Sequence, residues 1–280
     1  MEIQENYEPN NNYGEIHRIL LTYIRSIRFT NHENVVKVLA KCLDTQSQEE
    51  AADKLTSHIS EINTKISHHG FRIDRSRDQA TGELYYIFVN TIVDEVAKTN
   101  TKFSTVELDA IKKVIEEIVD SGLEYAISSL MATQVVSNAI KKSLREASSL
   151  IQTCIEDGWF NRTRKDKLLL SIRTKSELKK YIIEKFGIRG EDTDGKIFFC
   201  SQCSDVNTIG LKCPTDICPA NFHAKCLAVY LNKSLAETRN EWVNKGVQCP
   251  NQSCNYVWLI DDSAQVLPLR IGVDPNTITE

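Results

Sequence analysis

Eight candidate metal ligands lie close together near the C-terminal end of this sequence. In chain order they are Cys200, Cys203, Cys213, Cys218, His223, Cys226, Cys249 and Cys254. Thiolate and imidazole bind Zn²⁺ tetrahedrally, and gaps of two to four residues let one turn present two ligands to the same ion. Eight ligands in four pairs therefore predict two zinc ions, rather than a set of ordinary core cysteines or disulfides.

The spacing is compatible with two ways of sharing the ligands between the ions. In the alternating arrangement, one site consists of Cys200, Cys203, His223 and Cys226, and the other of Cys213, Cys218, Cys249 and Cys254. Sequential pairing fits the same spacing, so the pairing stays open at this point. Either way each ion has four protein ligands and no open position for water, which predicts structural rather than catalytic zinc.

The segment that carries the ligands is short and contains few aliphatic residues, so it could not bury enough apolar surface to fold alone. Metal binding would supply the missing free energy, on the order of 10–16 kcal/mol per site in peptide models. The remaining two cysteines, Cys42 and Cys154, lie on the apolar faces of predicted helices. We expect them to act as small hydrophobic core residues.

Upstream of the ligands, apolar residues recur with the spacing of amphipathic helices. The pattern Ser/Thr-x-x-Glu, in which two unpaired helix-end donors are satisfied reciprocally, predicts helix starts at Thr30, Ser47, Ser104, Ser143 and Thr174. Three helices followed by a hairpin occur in residues 14–90, and the same order recurs in residues 91–188. This order is that of a winged-helix domain, so we predict an α+β multidomain chain with two tandem winged-helix domains before the zinc domain.

The predicted boundaries complete this organisation. They give a disordered N-terminus at 1–13, winged-helix domains at 14–90 and 91–188, a linker at 189–196, a zinc domain at 197–262 and a tail at 263–280. The linker is polar and Gly-rich. Residues beyond Pro268 have little to pack against in the sequence pattern, so we expect them to be disordered.

The composition excludes some function classes. The 280-residue chain is 41% hydrophobic and 26% charged, which is typical of globular proteins. It has no apolar run near eighteen residues, which argues against a transmembrane helix, and no basic-then-apolar start typical of a secretory signal. The net charge of −4 gives no overall attraction to nucleic acid, so DNA binding would need a local basic patch.

One such patch lies in residues 161–180, which hold eight Lys or Arg residues. The candidate DNA contacts at the predicted second wing are Arg162, Arg164, Lys165 and Lys167. Phosphate contacts of this kind are non-specific and weaken as salt rises. The alternative is that these charges form an ordinary solvated face.

The two winged-helix patterns and the ligand order resemble the non-structural maintenance of chromosomes element one family. The most specific features are the ligand string, the pair Cys249-Pro250 and the later Trp258. The resemblance implies a variant RING (cross-brace) zinc domain, a MAGE-like and a kleisin partner subunit, a nuclear location, and a role in DNA repair and recombination. The four-residue gaps in Cys213–Cys218 and Cys249–Cys254 depart from the family's two-residue gaps and lengthen two zinc loops.

The resemblance also implies a RING-type ubiquitin ligase, which acts by positioning a charged ubiquitin-conjugating enzyme. The expected contact residues for that enzyme are Ile209, Leu211, Trp242 and Pro250. Against strong activity, Ser201 and Asn255 stand where active RINGs carry an aliphatic and a basic residue. The alternatives are a catalytically silent zinc scaffold and a PHD-type histone reader, although Val247 stands where such readers carry a tryptophan.

Overall fold

The computed structural model describes residues 13–91, 102–190, 194–216, 218–237, 247–258 and 268–279. The expected disordered N-terminus lies outside these ranges except for Tyr13, and so do residues 259–262 at the end of the predicted zinc domain. The described residues fall into two compact units. The first unit comprises residues 13–76 and 84–91, and the second comprises residues 77–83 and all described residues from 102 onward. None of the helices in the described ranges has the length and apolar character needed to cross a membrane.

The first unit packs three helices on a three-stranded antiparallel sheet. Its elements in chain order are α1 (Glu15–Ile27), β1 (Phe29–Asn31), α2 (His32–Cys42), α3 (Gln48–Ile66), β2 (Phe71–Arg77) and β3 (Leu84–Asn90). The strand order is β1-β3-β2. The inward stripes of the helices meet in one core, in which Leu20, Leu39 and Leu55 are fully buried.

The second unit begins with the same order of elements. These are α4 (Thr105–Asp120), β4 (Ala126–Ser128), α5 (Ser129–Ile140), α6 (Leu144–Glu156), β5 (Phe160–Arg162) and β6 (Lys167–Leu170). The strand order is β4-β6-β5, so the strand between the first two helices again pairs with the last strand of the hairpin. Two further helices follow, α7 (Ile172–Glu177) and α8 (Lys179–Phe186). Cys154 is fully buried in this core, as predicted.

The helix starts agree with the sequence pattern at some positions and differ at others. Of the three capping boxes predicted in the second unit, those at Ser104 and Ser143 are present. Thr30 is wrong as a cap, because it lies in β1 and the Asn31 side chain accepts the hydrogen bond from the helix instead. Thr174 is also wrong, because the helix starts three residues earlier and Ser171 caps it.

The ligand-bearing region follows as short strands and one helix. They are β7 (Phe198–Phe199), β8 (Val206–Asn207), β9 (Gly210–Lys212), β10 (Asn221–Phe222), α9 (Ala224–Glu237), β11 (Val247–Gln248) and β12 (Val257–Trp258). Five of the ten residues in its buried core are cysteines, and Phe222 and Trp258 supply the aromatic part. Ordinary apolar packing is therefore scarce here.

The C-terminal segment 268–279 is ordered, which contradicts the expectation of disorder for these residues. Its strand β13 (Leu269–Ile271) pairs with β9, and the Ile271 side chain is fully buried in the main core of the second unit. Further on, the Arg164 N–H donates to the Thr277 carbonyl at 2.6 Å, and the Thr279 N–H donates to the Arg162 carbonyl at 2.9 Å. The segment thus adds a strand to the ligand-bearing region and then follows the edge of β5.

Candidate metal centres

The first group of ligands comes from two pairs that border short strands. Cys200 follows β7 with Cys203 in the next turn, and His223 follows β10 with Cys226 in the first turn of α9. One ligand atom from each of these four residues lies within 4.8 Å of the other three. The His223 Nδ1 atom is 3.4 Å from the Cys203 sulfur and 3.8 Å from the Cys226 sulfur.

The second group consists of four buried cysteines. Cys213 follows β9, Cys249 follows β11 and Cys254 precedes β12, and Cys218 completes the group. The Cys213 and Cys254 sulfurs are 3.7 Å apart, and those of Cys218 and Cys249 are 3.6 Å apart. The chain therefore brings together the alternating sets, which the spacing alone left open.

These spacings fit zinc. Tetrahedral Zn²⁺ has Zn–S bonds of about 2.3 Å and Zn–N bonds of about 2.0–2.1 Å. Neighbouring ligand atoms around such an ion are consequently about 3.5–3.8 Å apart. The observed separations of 3.4–3.8 Å match this value. Each set could hold one ion with all four positions filled by protein.

Hydrogen bonds around the ligands support the same assignment. The His223 Nε2–H donates to the Val206 carbonyl at 3.2 Å, which leaves the Nδ1 lone pair facing the sulfurs. Ligating histidines usually have such a partner, because it fixes the tautomer and the ring orientation. In the second group, the Asn251 side-chain N–H donates to the Cys218 sulfur at 3.4 Å. No spacing in the sequence indicated either Val206 or Asn251.

Two thiols of the second group would have to lose protons in order to bind a metal. Burial raises the pKa of the Cys213 thiol, and it raises the pKa of the Cys249 thiol to about 12. Without a positive charge these thiols stay protonated at neutral pH. A divalent ion bound there would stabilise the thiolates and displace their protons, so metal uptake at this group would be coupled to proton release.

The residues expected to contact a conjugating enzyme differ in how far they are exposed to solvent. Pro250 is exposed and lines a cleft of about 470 Å³ together with Ile188, Arg189, Gly190, Phe199, Ser201, Pro219, Ala220, Asn221 and Asn251. Leu211 is half-buried in β9, between β10 and β13. Trp242 lies outside the described residues.

Ile209 is wrong as an exposed contact residue. Only 5% of it is exposed, and it packs against Ala126 and Leu169. Its apolar side chain is used inside the second unit, where it packs against β4 and β6.

The candidate DNA contacts are partly neutralised. Arg162 is paired with Asp166 at 3.2 Å, and Lys167 forms an ion pair with Glu124. Arg164 and Lys165 are exposed. Arg162 and Lys167 are half-buried.

Two other basic residues of the 161–180 segment are buried and belong to the core. Arg173 is 4% exposed, pairs with Glu177 at 2.8 Å and lies over the Trp159 ring at 4.5 Å. Lys175 is 8% exposed and donates to the Thr208 hydroxyl at 3.5 Å. The basic run is therefore not a continuous surface patch.

Comparisons with known proteins agree with this arrangement. A family model described as the Nse1 non-SMC component of the SMC5-6 complex matches residues 17–178, which is more than half of the chain. A RING-like domain model matches residues 200–238. A human protein named non-structural maintenance of chromosomes element 1 homolog is 26% identical over 246 residues, covering 87% of this chain and 84% of that protein.

Two further relatives cover nearly the whole chain. The Schizosaccharomyces pombe protein named non-structural maintenance of chromosomes element 1 is 23% identical over 254 residues, covering 90% of this chain and 95% of that protein. A chain of a solved Nse1-Nse3-Nse4 complex has a TM-score of 0.66 at 19% identity, covering 89% of this chain and 98% of that chain. The likeness to that structure establishes a shared fold.

The fold and the site thus define a mixed α/β protein with a RING-like, metal-binding C-terminal region. More specifically, the chain belongs to the Nse1 family. This confirms the family that the ligand order and the repeated helix-and-hairpin pattern resembled.

Zinc content tests the two centres directly. Metal analysis of the purified full chain should give about two zinc ions, one for each four-ligand set. Cys213→Ser should lower the content to one or less, because it removes a ligand. Cys42→Ser is the matched control and should keep both ions, since Cys42 lies outside both groups. A wild-type content of one or none, or two ions retained in Cys213→Ser, would contradict the assignment.

Lys175 generates a prediction on pH and stability. Burial lowers the pKa of Lys175 to about 8, although the carboxylates of Asp78 and Asp205 oppose this shift. Between pH 8 and 10.5 the unfolded chain binds more protons at this group than the folded chain, so stability rises with pH in that window. Below pH 8 the buried charge lowers the free energy of unfolding by an amount on the order of 3 kcal/mol.

Lys175→Met should therefore raise the free energy of unfolding at pH 7 by up to about 3 kcal/mol. The difference from wild type should shrink from pH 8 to 10.5. Denaturant titrations across this range measure both effects. The control is Lys180→Met, at a side chain that is 63% exposed. This variant should change neither the free energy of unfolding at pH 7 nor its dependence on pH. A Lys175→Met protein less stable at pH 7 would show that the ammonium group is needed.

Proposed function

We propose that this chain is a RING-bearing subunit of an SMC5-6-type complex that positions a ubiquitin-conjugating enzyme for ubiquitin transfer. The observation that carries the proposal is the cleft beside Pro250, whose walls adjoin ligands of both candidate metal centres. A RING has no nucleophile of its own, so its contribution to the reaction is to hold the charged enzyme in a reactive geometry.

The cleft has the construction that such a docking surface needs. Ser201 follows Cys200 of the first centre, and Pro250 follows Cys249 of the second. Between them lie the backbone of Pro219 and the side chain of Asn221, whose Nδ2–H groups donate to the carbonyls of Phe199 and Pro219. Each wall is tied to a different ion, so losing either metal would displace one side of the cleft.

The upstream domains support assembly with partner subunits. Both units place helix, strand, helix, helix and two strands in the same order around the same strand order, and this supports the assignment of two tandem winged-helix domains. The family model describes a component of the SMC5-6 complex, and the structural neighbour was solved in a complex with Nse3 and Nse4. We infer a MAGE-like and a kleisin partner, a nuclear location and a role in DNA repair and recombination.

A catalytically silent scaffold is the second candidate function. It is favoured by two polar residues at the module's surface, Ser201 on the cleft and the exposed Asn255 after the last ligand. In active RINGs an aliphatic residue at the first position contacts the conjugating enzyme and a basic one at the second steadies ubiquitin. A scaffold would keep both metals and all partners without promoting transfer.

Ubiquitin discharge separates these two functions. The full chain, alone and with its MAGE-like and kleisin partners, should accelerate ubiquitin release from a charged conjugating enzyme. Pro250→Ala should reduce that acceleration while retaining zinc and partner binding, because it removes one wall of the cleft without touching a ligand.

Pro214→Ala is the matched control for this experiment. Pro214 also follows a cysteine of the second centre, but it does not line the cleft. It should leave discharge unchanged. No discharge by wild type in the presence of both partners would assign the module to scaffolding and refute the ligase proposal.

A non-specific DNA contact at the loop between β5 and β6 is a further part of the proposed function. Its support is the exposure of Arg164 and Lys165 at the tip of this loop. Phosphate contacts release counterions, so the logarithm of the binding constant falls with the logarithm of salt by about 0.9 for each contact.

Arg164→Ala with Lys165→Ala should accordingly reduce this salt slope by about 2. The assembled complex titrated with duplex DNA at several salt concentrations gives the slope. Lys41→Ala with Lys65→Ala removes the same charge from exposed positions in the first unit and should leave the slope unchanged. Equal slopes in all three proteins would show that the loop is an ordinary solvated face.

A further inference from the structure

The loop Arg77–Glu83 belongs to the second unit and is organised by its own hydrogen bonds. The Asp78 carboxylate accepts from the N–H groups of Ala80 and Thr81 at 2.9 and 2.8 Å. The Gly82 N–H donates to the Asp78 carbonyl at 2.8 Å. These bonds fix the loop backbone and so define the direction of the Gln79 side chain between them.

The Gln79 carboxamide binds the turn that joins β8 to β9. Its oxygen accepts from the backbone N–H groups of Thr208 and Ile209 at 3.1 and 3.0 Å, and from the Thr208 hydroxyl at 3.0 Å. Its Nε2–H donates to the Val206 carbonyl at 2.5 Å. One side chain, more than 120 residues away in sequence, thus satisfies four polar groups of a buried turn.

The Val206 carbonyl connects this turn to the first metal centre. It accepts one hydrogen bond from Gln79 and another from the His223 Nε2–H at 3.2 Å. The position of this carbonyl orients the imidazole, and the imidazole orientation directs Nδ1 toward the sulfurs of Cys203 and Cys226. Gln79 therefore donates to the same carbonyl oxygen that accepts from the ligand His223.

The same loop also contacts the stretch between two ligands. Lys225, between His223 and Cys226, donates to the Thr81 carbonyl at 2.6 Å. Gly82 has a φ of +70°, and a Cβ there would lie 2.3 Å from the Lys225 ammonium nitrogen, so a larger residue would have to displace the end of the Lys225 side chain. The loop thus meets the first centre on two sides, at Val206 and at Lys225.

We propose that the loop Arg77–Glu83 is the outer shell of the first metal centre, and that Gln79 is a positioning residue for His223 through the Val206 carbonyl. The inference rests on the proposed metal binding. Outer-shell partners of this kind typically change metal affinity about 10- to 100-fold. The second centre has its own such partner in Asn251, which donates to Cys218, and this provides an internal reference.

The test compares two isosteric substitutions in the full chain. Gln79→Glu keeps an acceptor for Thr208 and Ile209 but replaces the donor to Val206 with a carboxylate oxygen. Asn251→Asp removes the donor to Cys218 in the same way. The proteins are loaded with ¹¹³Cd, whose two resonances distinguish the centre with three sulfurs and one nitrogen from the centre with four sulfurs.

Gln79→Glu should shift or broaden the resonance of the mixed centre and accelerate its metal release to a chelator by about 10- to 100-fold. The four-sulfur resonance should stay unchanged. Asn251→Asp should give the reverse pattern. These crossed results are not produced by a general loss of stability, which would affect both resonances in both variants.

Two outcomes would overturn the proposal. Wild-type release and an unchanged mixed-centre resonance in Gln79→Glu would show that the loop does not act on His223. Equal acceleration at both centres would show that Gln79 only stabilises the fold. A wild-type chain that binds no metal would instead refute the metal centres themselves, so the two failures are distinguishable.

Discussion

The C-terminal region depends on bringing four pairs of ligands, spread over residues 200–254, to two points. Half of its buried core consists of cysteines, so metal–thiolate bonds at these ligands would take the place that aliphatic packing has in the helical parts. The ligand sets also interleave along the chain. The first centre closes a loop that contains Cys213 and Cys218, and the second closes a loop that contains His223 and Cys226. Neither centre can therefore form without restricting the residues of the other.

This dependence extends beyond the ligands into the rest of the second unit. The β8–β9 turn supports His223 through Val206 and places Ile209 against Ala126 and Leu169. Next to it, β9 pairs with β13, whose Ile271 fills the main core. The turn and strand that support the metal centre therefore also supply the apolar residues that attach the region to its neighbours. A metal bound at these ligands would supply folding energy locally, while ordinary packing and strand pairing attach the region to the rest of the second unit.

The features that sequence predicted are those set by local spacing. The ligand order, the amphipathic helices and the caps at Ser104 and Ser143 each depend on residues a few positions apart. Thr30 and Thr174 failed because the helices begin at other residues, where Asn31 accepts from the Asn34 N–H and Ser171 from the Thr174 N–H. The strands β1 and β4 have three residues each, too few to show alternation, and they form because a distant hairpin strand pairs with them. The burial of Ile209 and Lys175 and the bonds of Gln79 depend on contacts across the fold, which periodicity does not encode.

The predicted linker illustrates how such contacts change a functional interpretation. Its composition suggested a spacer, yet the Arg189 N–H donates to the Ile197 carbonyl at 2.9 Å, and the Ile197 N–H donates to the Gly187 carbonyl at 3.1 Å. The described part of the segment is therefore paired with the start of the ligand-bearing region. It also lines the cleft that contains Pro250, and Arg189 is the one charged residue among the lining residues. A partner docked there would contact residues on both sides of the predicted domain boundary. The cleft is consequently lined both by the segment after α8 and by the ligand-bearing region, and the zinc-binding segment alone does not form it.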